Sequence, residues 1–164
     1  MKKMMLAVAA TGLLVGCSDD APPPPKAAEA AAALSPGEYE IVAKVDELRS
    51  TDKTTPATKS KVGGEPVTTR TCVGPENKIE PAAFVEAGET CTASDSYFRN
   101  GRISLQYKCS RPAGILTQLV DGDFKADSFT AQVRTATSYA GSGDYELVRS
   151  FTAKRVGDCT AKAG

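Results

Sequence analysis

Beyond Pro36 the chain alternates apolar and polar residues, and a period of two restricts it to half-buried β-strands. Tyr39, Ile41, Ala43 and Val45 alternate with Glu38, Glu40, Lys44 and Asp46, with Val42 the one apolar residue on the polar side. Ile103, Leu105 and Tyr107 alternate with Ser104, Gln106 and Lys108 in the same way. Further strands are predicted over 67–73, 92–98, 115–124, 129–139 and 145–155, separated by polar or glycine-rich turns. The Thr- and Lys-rich stretch 50–64 reads as a long exposed loop, and 76–84 as a short helical turn. The expected fold is all-β: an antiparallel meander of about seven strands curled into a small barrel or a strongly bent sheet.

Four cysteines sit among these strands: Cys72, Cys91, Cys109 and Cys159. An even number in an exported chain implies two disulfides, and hairpin geometry selects the pairing. A two-residue Asn100-Gly101 turn would set Cys109 opposite Thr92 and send the cysteines to opposite faces. A three-residue loop, Arg99-Asn100-Gly101, pairs Phe98 with Arg102 and carries Cys91 to Cys109. The sequence therefore predicts that loop, with Asp95 facing Leu105 and Tyr97 facing Ile103. It also predicts Cys91–Cys109 at a non-hydrogen-bonded position, about 4.5 Å between Cα atoms. Cys72–Cys159 follows.

The N-terminus supplies the export address. Lys2 and Lys3 precede an apolar run from Met4 to Val15, too short to cross a bilayer as a helix. The run ends in Leu14-Val15-Gly16-Cys17, which resembles the lipobox of bacterial lipoproteins. That resemblance implies cleavage before Cys17 and acylation of Cys17, hence a stable membrane anchor. Ser18 after the cysteine, where retained lipoproteins carry Asp, points by the same analogy to the outer membrane. Residues 17–36, with prolines at 22–25 and an alanine run, read as a tether that is extended where proline dominates. The expected organisation is thus signal peptide 1–16, lipidated tether 17–36 and β domain 37–164.

The order of landmarks in that domain resembles an uncharacterised family of small exported bacterial proteins, the domain of unknown function numbered 3617. Pro36-Gly37-Glu38-Tyr39 opens the first strand, Cys72 is followed by Pro75-Glu76, and Cys91 precedes a hairpin ending in Cys109. A Gly-Asp hairpin spans 122–129, and Gly157-Asp158-Cys159 closes the pattern. Tyr39 stands where that family usually has Trp, and Asp158 where it often has Pro. The resemblance implies fold boundaries and disulfides, and no activity.

Composition narrows the chemistry. The chain has 20 basic and 20 acidic residues and no histidine. Balanced charge argues against nucleic-acid binding, which depends on phosphate neutralisation. Without histidine, neither a Ser-His-Asp nor a Cys-His arrangement can be built. Oxidised cysteines make poor zinc ligands, so no metal or cofactor is expected. Ser50-Thr51-Asp52-Lys53 matches the Ser-x-x-Lys pattern of penicillin-binding enzymes, but it leads into a polar loop rather than a buried helix. The chain is therefore expected not to be an enzyme.

Two charges break the alternation. Asp95 falls on the face of Tyr97 and Tyr107, and Arg149 on the face of Tyr145, Leu147 and Phe151. Inside a barrel, Arg149 could grip an anionic ligand between walls formed by Tyr97, Tyr107 and Tyr145. The sequence thus predicts a periplasm-facing, membrane-anchored binding or structural domain, its partner an envelope protein or a small amphiphile. A lysozyme-inhibitor-like role is the alternative, since Ser142-Gly143-Asp144-Tyr145 resembles the Ser-Gly-x-x-Tyr loop of such inhibitors.

Overall fold

A computed structural model describes residues 33–75, 79–86 and 89–159. The expected signal peptide, the expected lipidation site Cys17 and most of the expected tether lie outside these residues. The described chain forms one antiparallel sheet of seven strands, curled into a half-barrel. The strands are β1 (Gly37–Ser50), β2 (Val67–Val73), β3 (Thr90–Arg99), β4 (Arg102–Arg111), β5 (Gly114–Lys125), β6 (Ser128–Tyr139) and β7 (Tyr145–Gly157). A 3-10 turn, Pro81–Ala83, lies between β2 and β3.

Sheet order is β2-β1-β7-β6-β5-β4-β3. Two-residue turns join β3 to β4, β4 to β5 and β5 to β6, with pairing that closes at Arg99↔Arg102, Arg111↔Gly114 and Lys125↔Ser128, and the longer loop 140–144 joins β6 to β7. No tight-turn sequence joins β2 to β3, and these strands lie at opposite edges of the sheet. β1 instead pairs along β7 from Glu38↔Gly157 to Ser50↔Tyr145, bringing the two ends of the domain together.

The alternation governs burial. β4 alternates exposed and buried from Arg102 to Ser110, with Ile103, Leu105, Tyr107 and Cys109 inside. Matching inner residues come from β1 (Tyr39, Ile41), β5 (Leu116, Val120), β6 (Phe129, Val133) and β7 (Leu147, Phe151). Burying aromatic and branched side chains contributes about 1.5–3 kcal/mol each, the main force holding the sheet curled. Phe84, from the segment after β2, enters this core with zero exposure. Its ring centroid lies 5.5 Å from that of Phe151 and 6.0 Å from that of Phe129. Leu34, which the sequence reading placed in the tether, is also fully buried. Ser35 beside it is bonded to the β5–β6 turn through Ala126, so ordered packing begins before Gly37.

The disulfides are Cys72–Cys159 and Cys91–Cys109. Cys91 meets Cys109 by a route other than the three-residue loop. Asn100 and Gly101 both have positive φ, 55° and 73°, as a two-residue hairpin turn of the mirror-image kind requires. Phe98 therefore faces Ile103, and Tyr97 faces Ser104. A β-bulge between Ala93 and Asp95 then absorbs one extra residue, and the ladder resumes with Ala93↔Tyr107 and Cys91↔Cys109. Turn and bulge offset each other.

Candidate functional site

The inner face is apolar except at one end of the half-barrel. There the register aligns Leu147, Thr135, Gln118 and Tyr107 across four strands, with Arg149 one inward position further along β7. Gln118, Thr135 and Arg149 are the buried polar side chains among the described residues. Gln118 donates to the Thr135 hydroxyl at 3.3 Å. Arg149, 8% exposed, donates through Nη2 to the Phe84 carbonyl and lies 5.1 Å from the Phe151 ring centroid.

A second arginine completes the cluster. Arg111, on the inner side of β4 two residues past Cys109, donates to Glu89, to Glu86 at 3.1 Å and to the Tyr139 hydroxyl at 3.0 Å. Glu86 also accepts from Ser60 at 2.6 Å, Thr58 at 3.0 Å and the Tyr145 hydroxyl at 3.5 Å. The loop after β1 is thereby fastened over the barrel end. Asp52 fastens its other side by accepting from the backbone N–H of Gly143 at 2.7 Å and of Asp144 at 3.1 Å. Gly143 has φ 100°, and a Cβ there would come within 2.8 Å of the Ala57 Cβ, so only glycine lets the loop seat.

Burial and pairing compete at each charge. Burial lowers the Arg149 pKa, and the charges of Glu86 and Glu89 only partly oppose this. Burial raises the Glu89 carboxyl, and Arg111 does not fully compensate. For Glu86 the same burial is outweighed by the Ser60 and Thr58 hydroxyls and by both arginines, so its pKa falls. Burial also opposes the charge on Arg111, but the hydrogen bond and charge of Glu89 prevail and keep it protonated. Burial pushes the Tyr107 phenol up to about 12. Tyr145 rises too, first through burial and then through Glu86. Three buried atoms find no partner among the described residues: Arg149 Nε, Gln118 Oε1 and Glu89 Oε2.

The expected ligand-binding residues separate into two groups. Arg149, Tyr107 and Tyr145 are buried on the inner face. Asp95 and Tyr97 are not: the two-residue turn puts Tyr97 on the outer face, where the Arg99 guanidinium lies 4.8 Å from its ring centroid. The same turn puts Asp95, two residues before Tyr97, outward opposite the exposed Gln106, and the bulge restores the expected register only beyond it, at Ala93. Phe98 takes the inward place instead, stacked 4.5 Å from Phe124. The Glu89 carboxylate and the Cys91 and Cys109 sulfurs lie within 4.8 Å of one another, but sulfurs joined in a disulfide offer no thiolate to a metal. Arg111, Gln118, Glu86 and Glu89 are not among the residues expected from the sequence. Gln118 carried a legible signal, a polar residue between inward Leu116 and Val120; the two glutamates lie in an irregular segment where no period marks a face.

A family model matches residues 34–159, from buried Leu34 to the last cysteine. The chain belongs to the DUF3617 family, a protein family of unknown function. No curated protein and no solved structure matches the chain. The DUF3617 match spans both disulfides, the fastened loop and the buried cluster, so all of them lie within the family domain.

Proposed function

We propose that this DUF3617 protein is a lipid-anchored component of the bacterial envelope, with a β domain that works by binding rather than catalysis. The anchor reading rests on Leu14-Val15-Gly16-Cys17 behind a short apolar leader. Ser18 favours the outer membrane, facing the periplasm. The binding reading rests on one observation: Arg149 is buried at the polar end of an otherwise apolar half-barrel, facing Glu86 and Glu89, with Phe84 O as its direct hydrogen-bond partner and its Nε unpartnered. Burying a cation is costly, and a group that bears the cost with an open donor suits recognition of an anion.

The lysozyme-inhibitor alternative needs an exposed 142–145 loop. Tyr145 is fully buried and Gly143 is held by Asp52, which gives that reading no support.

Labelling the full chain with radioactive palmitate in a bacterial host tests the anchor. Label should enter the wild-type chain and be lost from Cys17→Ala; equal labelling of both would reject Cys17 as the site. Native mass spectrometry of the unacylated Cys17→Ser chain tests the binding reading. A small molecule retained by that chain and lost with Arg149→Met supports it, and retention unaffected by Arg149→Met removes Arg149 from binding.

A further inference from the structure

We propose that the concave face takes an amphiphile with an anionic head, and that this ligand enters by displacing the segment Ile79–Glu86 together with Glu89. The proposal rests on the binding reading above and supplies its ligand class and entry route.

The segment already occupies the face as such a ligand would. Its apolar part, Phe84, lies against Phe129 and Phe151, and its anionic part, Glu86 with Glu89, lies on Arg111. The Phe84 carbonyl takes the guanidinium of Arg149. Three features make the segment exchangeable. Its local backbone bonds, Ala83 N–H to Glu80 and Phe84 N–H to Pro81, both 2.9 Å, are internal to it, so lifting it breaks no sheet ladder. It satisfies the interior incompletely, since Arg149 Nε, Gln118 Oε1 and Glu89 Oε2 stay unpartnered. A carboxylate or phosphate has acceptor capacity for both edges of the Arg149 fork, where a single carbonyl reaches one nitrogen. Finally, the strands on either side are stapled, β2 through Cys72–Cys159 and β3 through Cys91–Cys109, so the segment can leave while the sheet keeps both edges.

The chain contains no tryptophan, so Phe84→Trp provides a single reporter inside the segment. The full chain carrying Cys17→Ser and Phe84→Trp, with disulfides formed, is titrated with laurate below its micelle concentration. Equilibrium dialysis measures uptake, and acrylamide quenching measures exposure of the reporter. Saturable uptake with a severalfold rise in quenching is expected. Dodecanol, with the same tail and no anion, should bind about tenfold or more weakly, the worth of one charge-assisted hydrogen bond. Arg149→Met should bring laurate down to the dodecanol level. Lysophosphatidylglycerol in parallel distinguishes a phospholipid from a free fatty acid as the preferred source of the head group.

Laurate uptake with the reporter still shielded would overturn the displacement and leave the binding reading standing. Equal binding of dodecanol would overturn the anionic head. No uptake of any of the three amphiphiles would overturn the amphiphile class, while the binding reading stands or falls by the native mass spectrometry of the Cys17→Ser chain. If Phe84→Trp does not fold, hydrogen exchange at the Ala83 and Phe84 amides of the Cys17→Ser chain reads the same event: faster exchange with laurate supports displacement, unchanged exchange overturns it.

Discussion

Replacing Arg149 with methionine tests whether the buried cluster is an electrostatic unit or a set of packed stems. Methionine keeps an unbranched apolar side chain and removes the guanidinium, and with it the bond to the Phe84 carbonyl and the charge facing Glu86 and Glu89. Removing one member of a buried charged set costs about 3–5 kcal/mol, because its partners are left uncompensated. Arg111 still holds both glutamates, which puts the expected loss near the lower bound, about 3 kcal/mol. Glu89→Gln in the Arg149→Met background removes the opposing buried charge, so the double variant should exceed the sum of the singles in stability by at least about 1 kcal/mol. The pH dependence gives an independent reading. Burial raises the folded-state pKa of Glu89 above its unfolded value, so the ionised carboxylate is penalised in the fold at high pH. That penalty is relieved as pH falls through the folded pKa, because the folded state then binds the proton more readily. Arg149→Met should raise that pKa further, so its deficit should shrink as pH is lowered from the neutral range toward the ordinary carboxylate range. Urea unfolding of the four variants at several pH values, disulfides intact, supplies the numbers. A deficit constant across that range together with strict additivity would show that Arg149 contributes only packing.

Other perturbations have equally definite outcomes. Asp52 accepts from Thr54, Gly143 and Asp144, and the Thr54 bonds lead in holding its carboxyl far below the usual range. The stability it contributes is therefore present above about pH 4 and lost as pH falls further, so Asp52→Ala should flatten the acid limb of the stability curve. The same change should speed tryptic cleavage at exposed Lys53 and Lys59, followed by mass spectrometry of the fragments. Deleting Ser94 removes the bulge residue while the two-residue turn still delivers Cys91 to Cys109; peptide mapping should find that disulfide formed, and a scrambled pairing would refute the register. Replacing Cys72 and Cys159 together by alanine opens a closed loop of separation 87 and should cost about 4 kcal/mol on the chain-entropy model, read by urea unfolding.

Much of the sheet was legible because a strand's period is short and strictly enforced. In β4, Ile103 to Cys109 declares its buried face with no exception, and each inward residue of that run is buried. Arg149 was legible for the same reason, a cation at an inward position between Leu147 and Phe151. Asp95 misled because the bulge beyond it leaves no mark in a pattern of alternating residues, and without that bulge only a three-residue loop brings Cys91 to Cys109. The segment 93–97, Ala-Ser-Asp-Ser-Tyr, offers too little hydrophobic contrast to show where the phase changes. The pairing of β1 with β7 was illegible for another reason: no local turn joins them, so only the burial of their inner faces decides it. Glu86 and Glu89 lie outside any repeat, and their placement depends on two arginines distant in sequence.

Why the sheet stays open bears on what the buried cluster is for. A closed barrel would pair β2 with β3 and remove both edges. Here the segment around Phe84 fills the interior between them, held by the rings of Phe129 and Phe151 and by two guanidinium groups. A core meant only for stability is better served by apolar residues at such positions, since ion pairs rarely recover the cost of removing charges from water. Arg149, Arg111, Glu86 and Glu89 therefore weaken the closure relative to an apolar core of equal volume. Their gain is specificity of a different kind: the interior surface keeps a fixed cationic end and a fixed apolar floor. That pair of surfaces carries the binding reading, and it ties the fate of that reading to the behaviour of Arg149.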